Sequence, residues 1–388
     1  GAQARALGGT GTAAFFGSEN ALTNPALLGK SQGTEFAIGG TIFKPNVKAT
    51  SNVSNPATDS SQTSDNDTNI IPEVSLSTRI NDNWTFGLGI FGSAGMGVDY
   101  RDTDALFNGY SNLQIMKFAP SLAYNDSNFG FGFAPVIQYG ALDINYKSSG
   151  NTVGNGMSSD LGYGFNLGAY FDVTEALTIA AAYQSAISME YRDQISVAAN
   201  GFGITMGDKL EQPAELKVGA AYTTGNWMLT ADAKQIKWGD AAGYKDFKWE
   251  DQNVFGIGAK YSGNGYWVGA GYNYGSDPIK KVGVGSTGAT PAAGGMAGYY
   301  AQATDLFNNH FFPGIVESHW TIGGGYSLTK NMAIDAAVVY APEVEKTVGT
   351  GVISSALGSS FASTADAGTS HTVNHSQIGY TLSMRMNF

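Results

Sequence analysis

Apolar and polar residues alternate with a period of two along much of this chain. From Leu161 to Phe171, large apolar side chains occupy nearly every second position, and glycine or asparagine fills most positions between them. The same period runs from Trp84 to Ile90 and through the last nine residues, Tyr380 to Phe388. A period of two is typical of a β-strand with one apolar face.

Fourteen segments of the chain follow this pattern, and we predict a strand for each. They are residues 35–46, 70–80, 84–100, 112–125, 129–146, 159–172, 176–191, 212–224, 226–238, 252–262, 266–276, 317–328, 331–342 and 374–388. Most have at least the length of about 9–11 residues that a tilted strand needs to cross a bilayer.

The connections between these segments alternate in length. Short ones, such as residues 81–83, 173–175 and 329–330, contain turn-forming residues that favour hairpins. Long ones follow every odd-numbered segment, at residues 47–69, 101–111, 147–158, 192–211, 239–251, 277–316 and 343–373. An even number of strands with short turns at one end and long loops at the other is typical of a membrane barrel.

We therefore predict an all-β fold, a transmembrane antiparallel β-barrel of 14 strands. Its apolar faces point outward to lipid and its polar faces point to the lumen. The last strand then pairs with the first, because unpaired backbone groups are costly in hydrocarbon. Phe388 and the apolar residues that alternate before it face lipid, whereas Arg385 faces the lumen. The alternative is a large soluble all-β protein.

Composition supports the membrane interpretation. Charged residues are 14% of the chain and glycine is 53 of 388 residues, against about 25% and about 7% in typical soluble domains. No apolar run is long enough to suggest a transmembrane helix. The first residues lack the apolar region of a signal peptide, which leaves open whether one has been removed. The absence of cysteine excludes disulfides and thiolate metal sites, and the net charge of −11 argues against a nucleic-acid partner.

Residues 1–34 do not alternate, and a barrel of this size needs no such segment in its wall. Its interior is wider than that of an eight-stranded barrel, which side chains alone can fill. We therefore expect residues 1–34 to fold inward as a hatch that plugs the lumen of the barrel formed by residues 35–388. Phe15 and Phe16 are candidates for ligand contacts or for core anchors of this hatch.

The alternation also assigns charged residues to the lumen, where an arginine or lysine would bind an anionic group. The alternative is that these charges pair with one another or hold the hatch. The inward set is Glu73, Arg79, Lys117, Glu215, Lys217, Asp232, Lys234, Asp335 and Arg385.

Several segments resemble the FadL family, outer-membrane transporters of long-chain fatty acids and related hydrocarbons. The most specific is the block from Arg5 to Leu27, which contains the hatch residues Asn24, Pro25 and Ala26. Weaker likenesses are Asn83 to Gly89, Gln212 to Gly219, Trp238 and Gly275 to Pro278.

The resemblance implies passive uptake of a hydrophobic molecule through a plugged barrel in the bacterial outer membrane. A fatty-acid carboxylate would bind a lumenal arginine or lysine; if no basic residue meets a head group, the substrate is an uncharged hydrocarbon. The ligand leaves sideways through a gap where the third strand is kinked. Glycines interrupt the alternation of that strand, and glycine within a strand marks bulges. The predicted lateral-gate kink is Gly92, Ser93, Ala94, Gly95 and Gly97.

Family members often carry a long helical loop after the fifth strand as a docking groove, but here residues 147–158 are short and polar. We therefore place docking on the aromatic stretch from Ala297 to Val316, where an exposed apolar patch would indicate binding. A loop that packs on its own rim is the alternative. The predicted ligand contacts there are Tyr299, Tyr300, Phe307, Phe311 and Phe312.

The resemblance also implies partners: outer-membrane lipid, and the barrel assembly machinery that recognises a terminal strand ending in Phe388. We expect a monomer with no cofactor. An enzyme is not expected, since the four histidines of the chain all lie in or beside predicted loops. The acidic run from Ser64 to Asn69 is a weak candidate for metal binding. A general diffusion porin is the main alternative function, and an adhesin or structural barrel is the third.

Overall fold

A computed structural model describes residues 1–283, 295–358 and 368–388 of the chain. Fourteen long strands form its wall, and two short strands, β2 (Ser60–Thr63) and β7 (Asn151–Val153), lie in connections. The wall strands are β1 (Thr34–Ser51), β3 (Asn69–Arg79), β4 (Trp84–Asp99), β5 (Tyr110–Asp126), β6 (Phe129–Ser148), β8 (Ser158–Asp172), β9 (Leu177–Gln184), β10 (Glu215–Thr224), β11 (Trp227–Ile236), β12 (Gln252–Ser262), β13 (Tyr266–Gly275), β14 (Ser318–Thr329), β15 (Met332–Gly349) and β16 (Ser370–Asn387).

The wall closes on itself. Each wall strand pairs antiparallel with its neighbours in the chain, and β16 pairs with both β15 and β1. The closing seam runs from Glu35 opposite Asn387 to Ser51 opposite His371. The predicted fourteen-stranded antiparallel barrel and its closure by the last strand are confirmed.

Side-chain exposure alternates along the strands with apolar residues outside. In β16, Tyr380 is 45% and Leu382 62% exposed, whereas Thr381 between them is buried. Inside the barrel, Arg385 Nε donates to Asp335 Oδ2 at 2.6 Å. Aromatic residues such as Trp84, which packs edge-on against Tyr124, lie outside near the short turns. Large apolar side chains exposed on the wall's outer face suit a hydrocarbon environment.

One predicted strand is too long. β9 ends at Gln184, whereas residues 176–191 alternate throughout. Beyond Gln184 the chain leaves the wall and folds inside the barrel, where Met189 and Tyr191 are fully buried. Gly162 makes room for it, since a Cβ there would lie 2.5 Å from Met189 Sδ. The periodicity persists because the inner face of this segment is also apolar.

Short helices occupy the interior and the long connections. The α-helices are α1 (Ala2–Ala6), α2 (Ile195–Gly201), α3 (Gly295–Phe311) and α4 (Gly351–Gly358). 3₁₀ turns span Ser18–Leu22, Pro25–Lys30, Asp104–Leu106 and Trp238–Asp240. In the described parts of the chain, no helix combines the length and hydropathy required for a membrane span.

The long connections lie at one end of the barrel, here called the loop end, and pack into one hydrophobic core over its mouth. This mouth core joins residues far apart in sequence, including Tyr100, Tyr191, Trp249 and Phe311. Parts of two long connections, residues 284–294 and 359–367, lie outside the described residues. The opposite end, with the short turns, is called the turn end.

Candidate functional site

Residues 1–33 lie inside the barrel, and the wall is shaped to receive them. Wall glycines stand where the segment touches the strands. A Cβ on Gly132 would be 2.3 Å from the backbone nitrogen of Ala26, and one on Gly87 would be 2.3 Å from Leu28 Cδ1. The glycine content of the strands therefore serves close approach between wall and hatch.

The Asn24–Pro25–Ala26 block initiates the second 3₁₀ turn of the hatch. Asn24 Oδ1 accepts a hydrogen bond from Ala26 N at 3.0 Å, and Pro25 occupies the first position of the turn, where no N–H is needed. Asn24 Nδ2 donates to the carbonyl oxygen of Thr12 at 2.8 Å. Asn24 is fully buried, so this block folds the hatch back on itself against the wall.

Inward charges from the wall hold the hatch at several places. The Arg79 guanidinium donates to the carbonyl oxygens of Gly29 and Ser31, the latter at 2.7 Å from Nη2. Asp232 Oδ2 accepts from Thr12, and Glu73 Oε2 accepts from Arg5 at 2.9 Å. Other inward charges pair with one another, as in Asp335–Arg385 and Glu215–Lys234. These contacts match the alternative in which lumenal charges hold the hatch.

A cavity of about 290 Å³ lies between the first ten residues of the hatch and the wall. Its apolar lining comes from β1, β3 and β15 through Phe43, Ile71 and Val339. The polar lining is mostly satisfied, as where Thr41 and Thr381 are hydrogen-bonded to each other at 2.7 Å. The remaining lining residues are Arg5, Gly8, Gly9, Asn273, His319, Thr321, Gln377 and Gly379.

Sequence reasoning did not find this cavity. The alternation indicates which side chains point inward, but it cannot show at which height the hatch leaves space. Phe15 and Phe16 do not line the cavity. Phe16 is 4% exposed and packs with Ala13, Ala14 and Ala221 between hatch and wall.

The wall is split beside this cavity. β3 pairs with β1 from Asn69 onward, but it pairs with β4 only from Glu73 to Arg79. The next residues of β4 have no partner on β3, and its pairing with β5 shifts register between Ser93 and Gly95. This fork, formed by residues 69–72 and 92–95, includes Gly92, Ser93, Ala94 and Gly95 of the predicted kink.

Cavity and fork are adjacent. Ile71 lines the cavity, and a Cβ on Gly92 would lie 2.7 Å from Ile71 Cγ2. Pro72, the next residue of β3, has no N–H to offer a neighbouring strand. Gly97 lies beyond the fork, where a Cβ would meet the Ser111 carbonyl oxygen at 2.5 Å, so close packing requires glycine there.

The aromatic stretch that we expected to be exposed forms α3, and part of it is buried. Phe307 and Phe311 are fully buried and Phe312 is 6% exposed, so the expectation of exposure is wrong for these three. Phe307 and Phe311 share one helical face because they are four residues apart. Phe307 stacks on Phe247 of the mouth core at 4.6 Å between ring centroids.

Tyr299 and Tyr300 lie nearer the surface. Tyr300 is 39% exposed, and both rings lie within 4 Å of the position of a Cβ on Gly203. Next to this point, a surface groove of about 480 Å³ runs between the β7 hairpin and α2. Val153, Val197 and Met206 line this groove. It therefore includes part of the short loop 147–158, where the sequence does not predict a docking site.

A chain of buried hydrogen bonds fastens α3 to the barrel. Asn309 Nδ2 lies 2.9 Å from His371 Nδ1, His371 Nε2 lies 2.9 Å from His310 Nδ1, and His310 Nε2 lies 3.0 Å from the Leu106 carbonyl oxygen. If both rings are neutral, every link has one donor and one acceptor. Burial lowers the pKa of His310 to about 4, which favours this neutral state.

Comparisons with known proteins agree with the fold. The family described as "Outer membrane protein transport protein (OMPP1/FadL/TodX)" matches residues 1–284. The toluene transporter TodX of Pseudomonas putida is 18% identical, with 99% of this chain and 97% of that chain covered and a TM-score of 0.68. The toluene transporter TbuX of Ralstonia pickettii is 18% identical, with 100% and 98% covered and a TM-score of 0.67.

A FadL homologue of Pseudomonas aeruginosa is 14% identical, with 100% of this chain and 98% of that chain covered and a TM-score of 0.71. At these identities the likenesses show a shared fold. No curated protein matches the sequence. Since the family match spans most of the 388 residues and includes the hatch and the fork, this chain belongs to the OMPP1/FadL/TodX family of outer membrane transport proteins.

Proposed function

We propose that this protein resides in the bacterial outer membrane as a multi-pass barrel and takes up hydrophobic molecules passively. The hatch of residues 1–34 closes the lumen of the barrel of residues 35–388, and no chemical step is involved. The main support for this proposal is that the lumenal cavity lies directly beside the fork. A ligand in that cavity is separated from the membrane by Ile71 and the unpaired edges of β3 and β4.

A lateral exit suits a hydrophobic ligand. Release into the aqueous periplasm would expose its surface to water at a cost of about 0.8 kcal/mol per methylene group, whereas release into the bilayer avoids that cost. Fewer backbone hydrogen bonds must break at the fork than elsewhere in the wall, because β3 and β4 are already separate there. We assign the lateral gate to the fork, with Gly92, Ser93, Ala94 and Gly95 as its β4 side.

The cavity favours a compact, uncharged substrate. A cavity of about 150 Å³ is large enough to bind benzene, so about 290 Å³ accommodates a substituted aromatic ring. Among the described residues that line it, Arg5 is the only one with a formal charge, and its guanidinium is paired with Glu73. A carboxylate would find no free cation there. Uncharged hydrocarbons therefore fit better than long-chain fatty acids.

We place first docking at the loop end, in the groove between the β7 hairpin and α2, with Tyr299 and Tyr300 at its border. Phe307, Phe311 and Phe312 then line the onward path only if the mouth core opens. Phe15 and Phe16 act as anchors of the hatch. Outer-membrane lipid surrounds the apolar exterior, the terminal strand meets the assembly machinery, and the barrel acts as a monomer.

The test is uptake of toluene and of a long-chain fatty acid into liposomes that contain the purified protein, together with single-channel recording in planar bilayers. We expect toluene uptake above that of empty liposomes, with little ion conductance. High conductance of small ions without selective uptake would instead identify a general diffusion porin. Preferential uptake of the fatty acid would overturn the preference for an uncharged substrate while leaving hydrophobic transport intact.

A further inference from the structure

Glu73 occupies the point at which two wall strands separate. Counted from the turn that connects β3 and β4, Glu73 is the last residue of β3 that has a partner on β4, and that partner is Phe91. The side chain points into the barrel, and the residue is only 8% exposed. Pro72 and Ile71 on its other side pair with β1 alone. A change in the position of Glu73 therefore acts directly on the length of the fork.

The carboxylate of Glu73 is bound by the hatch. Arg5 Nη1 donates to Oε2 at 2.9 Å, and Gly1 N donates to Oε1 at 2.8 Å. Both donors belong to the first turn of the hatch, around α1. The hatch is thus tied to the wall at the residue where the wall begins to split.

Arg5 also belongs to the cavity. Its side chain is 30% exposed, although it is paired with a carboxylate that is almost fully buried. It lines the cavity together with Ile71, the fork residue two positions before Glu73. A molecule that fills this space contacts one partner of the ion pair, whereas the other partner stands at the fork.

A buried carboxylate loses much of its stability when its cation is withdrawn. If a ligand shifts Arg5, Glu73 keeps only the hydrogen bond from Gly1 N. The carboxylate must then follow Arg5, take a proton or turn toward water, and each response alters the last β3–β4 pair. The coupling is reciprocal, so an opening of the fork must also loosen Arg5. Arg5 and Glu73 act here as positioning residues.

We propose that the Arg5–Glu73 ion pair is a latch that couples occupancy of the lumenal cavity to opening of the fork between β3 and β4. This inference rests on the proposed transport of hydrophobic molecules. In the resting protein the intact pair keeps the fork short, and toluene in the cavity weakens the pair and lengthens the fork.

The chain contains no cysteine, so two introduced cysteines give a unique pair of labels. Ile70 on β3 is 78% exposed and Phe118 on β5 is 41% exposed, both on the outer face on opposite sides of the fork. Spin labels at Ile70→Cys and Phe118→Cys, measured by pulsed electron resonance in lipid nanodiscs, report the width of the fork. The same samples are measured with and without toluene.

We expect toluene to move the distance distribution of the parent protein to longer values. In Glu73→Gln and Arg5→Met, the longer distances are already populated without toluene, and toluene adds less than half of the parental change. The matched control is Asp172→Asn, which removes another hatch–wall ion pair, Lys30 Nζ to Asp172 Oδ1 at 2.7 Å. That variant keeps the parental distances and response. Heat-dependent gel migration confirms that each barrel is folded.

If one single variant does not fold, the other still tests the latch. Short resting distances in folded Glu73→Gln, or an equal effect of Asp172→Asn, would overturn the latch. If the parent protein takes up toluene without any change in the label distances, the latch is overturned but the proposed transport function is not. A parent that takes up no toluene contradicts the proposed function, and the resting distances then decide the latch separately.

Discussion

Asp232 in the wall and Thr12 in the hatch are joined by two hydrogen bonds. Asp232 Oδ2 accepts from Thr12 N at 3.1 Å and from Thr12 Oγ1 at 2.8 Å. The same oxygen accepts from Gly11 N at 3.1 Å. One carboxylate on β11 therefore fixes the bend that follows the cavity-lining part of the hatch.

Removal of this carboxylate should loosen the hatch without unfolding the wall. Hydrogen bonds to a charged group contribute about 1.5–3 kcal/mol, so Asp232→Ala should make brief openings of the hatch more frequent. In planar bilayers we expect short conductance bursts that the parent rarely shows. Asp240→Ala, at a largely exposed carboxylate of the loop end, serves as the control. Equal conductance traces for both variants and the parent would contradict an anchoring role of Asp232.

A side chain at Gly92 should obstruct the fork. The Cβ of valine would lie 2.7 Å from Ile71 Cγ2, so Ile71 must shift into the cavity or toward β4. A barrier higher by about 1.4 kcal/mol slows passage roughly tenfold. We therefore expect Gly92→Val to reduce toluene uptake by about this factor with assembly unchanged. Gly207→Val adds the same side chain in open space at the loop end and should have no effect. Parental uptake by Gly92→Val would argue against exit at the fork.

Partial filling of the cavity should weaken ligand binding. Gly379 lines the cavity, and its built Cβ would make only an ordinary contact of 3.4 Å with Thr41 Cγ2. Leucine is therefore tolerated but occupies ligand space, and we expect Gly379→Leu to bind toluene about tenfold more weakly, or ~1.4 kcal/mol. Gly379→Ala leaves most of the space free and should bind as the parent does. Calorimetric titration measures both, and equal affinities would place the ligand elsewhere.

Acid should loosen the mouth core through His310. Its pKa is lowered to about 4 in the folded protein by burial, whereas an unfolded histidine titrates near 6.5. When the mouth core is unfolded, His310 binds a proton more readily below pH 6.5 than it does in the folded protein. The free energy of unfolding of the mouth core therefore falls as pH drops from about 6.5 to about 4. Above pH 6.5 this contribution is complete.

Fluorescence of a dye on Thr304→Cys, in α3, measures the effect because the chain has no other thiol. The dye signal should change between pH 6.5 and pH 4, and the change should be smaller in His310→Gln, which cannot titrate there. A signal that is flat over this range in the parent, or identical in His310→Gln, would show that His310 does not control the mouth.

The wall could be derived from the sequence because each strand faces two uniform environments. In β16, Leu382 meets the outside and Thr381 the inside, and alternation reports this directly. Ile187, Met189 and Tyr191 also alternate with a period of two, but here the alternating side chains pack against glycines of the wall from inside the barrel. For this reason the predicted strand extends too far. A period of two alone does not show whether an apolar face points to lipid or packs inside the lumen.

The cavity and the mouth core could not be derived in this way. They depend on contacts between residues far apart in sequence, such as Arg5 with Glu73 and His310 with His371. The irregular pairing of β4 was partly accessible from the sequence, because the glycines after Phe91 interrupt the alternation in a single strand. The fork also requires the loss of β3 pairing before Glu73, which only the register of two strands reveals.

The central claim is that the ligand leaves between β3 and β4, and a reversible bridge across the fork tests it most directly. Pro72→Cys and Gly92→Cys stand at the next positions in register after the Glu73–Phe91 pair. A reducible thiol crosslinker should join them. The control pair is Val74→Cys and Ile90→Cys, which face each other where β3 and β4 are already paired.

Toluene uptake into liposomes is then measured before and after the crosslinker is cleaved. We predict that the bridged fork takes up toluene at the rate of empty liposomes and regains parental uptake on reduction, whereas the control pair transports in both states. Undiminished uptake through a fully bridged fork would contradict lateral release at this site.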